Sequence, residues 1–145
     1  MNRNFERTYP YVIALIAGFA AWHFKISPAP TKLDGMLTSA ISVSAIFLGF
    51  LGTAKAMLLS FRSSKFSWIK SKPIVWKLLL GYLKVAFQTS LLACLYSLFL
   101  LVFDANLLPE AVKPFVIPLW VFVFTVAVVT FYRVVSVFFA ILSSE

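Results

Sequence analysis

Carboxylates are scarce in this chain: 5 Asp and Glu stand against 13 Lys and Arg in 145 residues, a formal net charge of +8. The acids, Glu6, Asp34, Asp104, Glu110 and Glu145, all fall outside the long apolar runs. No intramembrane carboxylate is therefore available for proton-coupled transport, which counts against a small proton-coupled exporter. Cysteine and histidine occur once each, as Cys94 and His23. One thiol excludes a disulfide or dithiol exchange within the chain. His23, beside Trp22 at the end of an apolar run, reads as a boundary residue rather than a metal ligand. There is no glycine-rich phosphate loop and no Ser-His-Asp set. The expectation is a protein that is not an enzyme, with no catalytic, cofactor-binding or metal-binding residues.

Polar material in general is short. With 61% hydrophobic, 17% aromatic and 12% charged residues, too little is left to cover the surface of a water-soluble domain. The chain is expected to be solvated by lipid. At ~20 residues per crossing of a ~30 Å hydrocarbon core, four apolar runs fit and no separate soluble module remains. The fold class expected is all-α, one polytopic membrane domain over 1–145 with four transmembrane helices at about 9–24, 36–61, 74–103 and 114–142. The first run resembles a signal peptide in its basic start and apolar core. It lacks a convincing small-residue cleavage site before Ser27-Pro28-Ala29-Pro30, so it is read as a retained helix. A Pro-rich turn, a basic-aromatic segment over 62–77 and a stretch containing Asn106 and Pro109 connect the helices.

The middle connection carries Arg62, Lys65, Lys70, Lys72 and Lys77 with no acid. The other two mix cations with acids, Lys32 with Asp34 and Lys113 with Asp104 and Glu110. The positive-inside rule then makes the middle connection cytoplasmic, and both termini with it; Arg3 and Arg7 agree.

Three cations interrupt the apolar runs: Lys55, Lys84 and Arg133. Uncharged stretches of equal length, 36–54, 85–103 and 114–132, separate each from the outer end of its helix, so all three sit at similar depth near the cytoplasmic leaflet. An ionisable group at membrane depth costs a few kcal/mol and marks a functional or packing site by default. Snorkelling of long side chains to the headgroups explains them without a function. The functional alternative is a cationic ring in an oligomer, lining an anion pathway or holding lipid phosphates.

Thr38, Ser42, Ala45, Gly49, Gly52 and Ala56 are spaced by threes and fours and form a small-residue stripe on the second helix. Close backbone approach at such residues is a principal way that membrane helices associate, so the stripe is expected to be a helix-packing face, within one bundle or between subunits. Ala86, Ser90, Ala93 and Ser97 form a matching set on the third helix, and Ala14, Gly18 and Ala21 on the first. Phenylalanines such as Phe47, Phe50, Phe124 and Phe131 are expected to fill the spaces between helices or to face lipid. An aromatic gate that closes by dewetting is a further alternative.

The segment containing Arg62, Lys65, Trp68, Lys70, Lys72 and Lys77 mixes aromatics with cations. Nucleic acid could stack on such a surface. The adjoining apolar helices favour docking on anionic lipid instead, because Trp prefers the headgroup level and each cation near it contributes about 1 kcal/mol. A soluble protein partner could use the same loop.

The stretch Ala45-Ile46-Phe47-Leu48-Gly49-Phe50-Leu51-Gly52-Thr53-Ala54-Lys55-Ala56-Met57-Leu58-Leu59-Ser60, running into the basic-aromatic segment, resembles small multi-helix membrane effectors of bacterial anti-phage defence systems, of the retron- or CBASS-associated type. That resemblance implies a multi-pass protein of the bacterial inner membrane that forms a homo-oligomer and permeabilises the membrane when a separate cytoplasmic sensor is triggered. It covers mainly the second and third helices and transfers no site residue. A phage holin and a non-conducting anchor that recruits a soluble partner through the basic loop are the alternatives.

Overall fold

A computed structural model describes residues 3–24, 30–60, 73–103 and 113–142, with side chains over 8–24, 32–60, 76–103 and 114–140. The described residues form four helices: α1 (Arg3–His23), α2 (Pro30–Ser60), α3 (Pro73–Val102) and α4 (Lys113–Leu142). The physical reason is the backbone. In a medium without water every N–H and C=O must be satisfied within the segment, which leaves the helix as the solution for a continuous apolar run. Pro30 and Pro73 open α2 and α3 where a missing amide costs nothing. Pro10 and Pro118 lie inside α1 and α4 and each removes one helical donor.

All-α architecture with four helices agrees with the sequence, and two sets of boundaries move. α1 and α2 each begin six residues earlier than the apolar runs suggest, because helix formation continues into polar flanks that hydropathy leaves out. α3 begins at Pro73, so Trp76 and Lys77 stand on its first turns. Arg62, Lys65, Trp68, Lys70 and Lys72 lie outside the described residues. Three helices have segments long and apolar enough to cross a membrane, Lys32–Ser60, Trp76–Val102 and Pro114–Ala140.

α2 packs on α3, α3 on α4, and α1 on α4. Neighbours in the chain run antiparallel. Tyr9 of α1 and Tyr82 of α3 both reach Arg133 near the end of α4, whereas Tyr96 reaches Val116 near its start. Lys55, Lys84 and Arg133 therefore share one end of the molecule, as the lengths of the uncharged stretches suggested.

Two apolar clusters hold α2, α3 and α4 together. At the cationic end Leu51, Ala54 and Leu58 of α2 meet Leu79, Leu83 and Ala86 of α3 and Val134 of α4. At the other end Leu37 and Ala40 pack on Trp120. Between these ends, Phe47 of α2 stacks on Phe131 of α4 with ring centroids 3.9 Å apart and planes at 10°. Apolar burial from lipid supplies little hydrophobic drive, so this close fit contributes through van der Waals contact. α1 adheres by the same means: Ala14, Gly18 and Ala21 are buried. A Cβ built on Gly18 would lie 3.3 Å from both the Phe122 Cβ and the Pro118 carbonyl oxygen.

Candidate functional site

The three cations of the apolar runs divide between two clefts. Lys55 of α2 and Lys84 of α3 are exposed and line one groove between their helices, of about 540 Å³, together with Gly52, Phe87, Gln88 and Leu91. Arg133 is half-buried on the other side of α3. Its guanidinium carbon lies 3.8 Å from the centroid of the Tyr82 ring and 5.8 Å from that of Tyr9. The quadrupole of each ring attracts the cation, an interaction worth about 0.5–2 kcal/mol depending on desolvation. Around it a cavity of about 310 Å³ is lined by Pro10, Tyr11, Lys77, Gly81 and Thr130, among others. Within one chain, then, Lys55 and Lys84 come together and Arg133 stands apart from them.

The small-residue sets also part company. Ala86, Ser90, Ala93 and Ser97 of α3 are all buried, as are Ala14, Gly18 and Ala21 of α1. The stripe of α2 is the reverse: Thr38, Ser42, Ala45, Gly49, Gly52 and Ala56 are all exposed. A Cβ added at Gly49 or Gly52 would meet nothing within 4 Å. Hydroxyls on this side bond to their own helix. Ser42 Oγ donates to the Thr38 carbonyl at 3.0 Å, and Thr53 Oγ1 lies 2.9 Å from the Phe50 carbonyl. The face thus shows small exposed side chains, with the hydroxyls of Ser42 and Thr53 bonded within their own helix.

A polar ladder along α3 and α4 carries residues that the sequence reading passed over. Thr89 and Thr130 meet through their hydroxyls at 2.9 Å. Trp120 Nε1 donates to Ser97 Oγ at 2.8 Å, and Ser97 Oγ donates in turn to the Ala93 carbonyl at 2.7 Å. Tyr96 donates to the Val116 carbonyl at 3.3 Å. Gln88 was also overlooked, although it lies four residues after Lys84 and so one turn further along the same exposed side of α3. That spacing was the signal that could have found it. Two hydroxyls, Ser44 Oγ and Ser90 Oγ, are buried with no hydrogen-bond partner.

Other residues singled out in the sequence take modest places. Cys94 is half-buried in α3. His23 is exposed at the end of α1 with its ring 5.4 Å from that of Phe24. Among the described residues no three of His, Cys, Asp and Glu lie close enough to hold a metal ion.

Fold and composition together define a small helical protein whose long apolar helices suit it to a membrane. Comparisons with protein-family models, with curated proteins and with solved structures each find no match.

Proposed function

We propose that this chain is a multi-pass membrane protein that self-associates through the exposed face of α2 and, once assembled, permeabilises the membrane. One observation carries the assembly: the sets Ala14, Gly18, Ala21 of α1 and Ala86, Ser90, Ala93, Ser97 of α3 are buried against neighbouring helices, while the stripe Thr38, Ser42, Ala45, Gly49, Gly52, Ala56 of α2 faces outward. Small residues facing lipid forgo the contacts that bulky side chains would make. A second helix seated there recovers them, because missing side chains let the two backbones approach closely. In this reading α1 is the fourth span, its exposed Leu15, Ile16 and Phe19 facing lipid. The basic end, with both termini, is cytoplasmic.

Permeabilisation and a role in anti-phage defence rest on the resemblance carried by residues 45–60, the same stretch that holds Gly49, Gly52 and Ala56. A separate cytoplasmic sensor would act at the basic segment before α3, and the bacterial inner membrane is the setting implied. Lys55 and Lys84 would stand at the edge of the subunit contact, since Gly52 belongs both to the stripe and to their groove.

The test combines the oligomer mass of purified protein with currents in planar bilayers, recorded with and without a candidate cytoplasmic partner. A defined oligomer with discrete currents is expected. Gly49→Leu should reduce it to monomers and silence it while leaving its helix content unchanged, because a Cβ at that position meets no atom of its own chain within 4 Å. An intact but silent wild-type protein that binds a soluble partner would replace this proposal with the anchor reading.

A further inference from the structure

The groove between α2 and α3 combines, within one chain, features that suit an amphiphilic anion. Lys55 and Lys84 approach it from opposite walls and both are exposed. No carboxylate lines it. Among the described side chains the sole carboxylate is Asp34, about 31 Å away from Lys55 along α2. Two like charges in one cleft at membrane depth repel one another and are costly to desolvate, so a shared counter-anion would relieve both.

Depth and lining point to the kind of anion. From Lys84 to Val102 α3 is about 27 Å long, close to the ~30 Å of a hydrocarbon core. With Val102 at the outer boundary, Lys84 stands at the inner one, where its ammonium reaches lipid phosphates. Gln88 is about 6 Å deeper, at the level where a glycerophospholipid carries its ester carbonyls, and its amide can donate to them. Deeper still, the wall continues as Leu91, with Phe87 beside it. A soluble phosphate would use the cations and leave Gln88 and this apolar wall idle.

We propose that the groove is a specific site for one anionic glycerophospholipid of the inner leaflet, with its phosphate between Lys55 and Lys84, an ester carbonyl on Gln88 and an acyl chain along Phe87 and Leu91. Arg133 takes no part, since it faces a different cavity. The site is complete in a single chain and so does not depend on assembly through α2.

The test reconstitutes the full chain in nanodiscs of phosphatidylcholine containing phosphatidylglycerol, releases it into mild detergent and counts lipids bound to single chains by native mass spectrometry. One phosphatidylglycerol retained in preference to phosphatidylcholine is the expected result. At about 1 kcal/mol per cation, Lys55→Gln with Lys84→Gln should weaken that preference roughly thirtyfold. Lys55→Arg with Lys84→Arg should keep it, and so should Lys32→Gln on the remote end of α2. If the double glutamine variant does not fold, Lys84→Gln alone carries the test, with roughly a fivefold loss expected. Three results would each overturn the site: wild-type retention in a folded glutamine variant, equal retention of both lipids, or displacement of the lipid by millimolar inorganic phosphate. The last would identify a soluble-anion site instead. Because lipids are counted on single chains, a failure of oligomerisation would leave this result standing, and the reverse also holds.

Discussion

Trp120 shows how a single residue acts in a lipid-solvated core. Its ring packs with Leu37 and Ala40, stacks at 9° on Phe124, and donates to Ser97 through Nε1. Phenylalanine would keep much of the apolar contact and lose the hydrogen bond. Trp120→Phe should therefore destabilise the fold by about 1 kcal/mol, within the range measured for interhelical bonds in membranes, as read from reversible unfolding in mixed detergent. Ser44 has the opposite sign. Its buried hydroxyl has no partner, so Ser44→Ala removes a desolvation cost without breaking a bond, and the variant should be at least as stable as the natural chain in the same titration. The sequence announced neither role, because a serine in an apolar run looks the same whether its hydroxyl is satisfied, shared or alone.

Between elements, glycine has two meanings that depend on what lies opposite. Gly18 lets α1 close on α4, where Phe122 and the Pro118 carbonyl leave no room for a large side chain. Gly18→Leu should push α1 off α4, exposing Ala14 and Ala21, and show up as selective proteolysis of α1 with α2–α4 intact. A Cβ at Gly49 meets no atom within 4 Å, so Gly49→Leu reports on contacts between chains, whereas Gly52 also lines the groove of Lys55 and Lys84 and a leucine there would report on both. Spacing by threes and fours revealed three small-residue sets on three helices. Which of them finds its partner within the chain was not legible, because all three helices offered the same chemistry.

For the whole molecule, the alternating course of the helices fixes which ends lie together. Ser60 belongs to the end that holds Lys55, Lys84 and Arg133, and Phe24 and Phe103 belong to the other. In a Cys94→Ala background, a membrane-impermeant maleimide added to sealed right-side-out vesicles should label Phe24→Cys and Phe103→Cys and spare Ser60→Cys and Thr8→Cys. Inverted vesicles should give the reverse. Labelling of Thr8→Cys and Phe24→Cys from the same side would show that α1 lies along the membrane instead of crossing it, and would remove the fourth span from the proposed topology.

Run length by itself indicated helices long enough for a membrane, the all-helical class and the placing of Lys55, Lys84 and Arg133 at one end. Each of these follows from distance along a helix, which a sequence measures directly at a fixed rise per residue. Rotation about the helix axis was decided only in three dimensions: that Arg133 turns towards Tyr82 and Tyr9 while Lys55 and Lys84 share a groove with Gln88, and that the stripe of α2 looks outward. In water the contrast between an apolar and a polar face would have encoded that rotation. Here α2, α3 and α4 are apolar nearly all round, lipid and neighbouring helix are equally hydrocarbon, and the azimuth of each helix is set by the fit of particular side chains against one another.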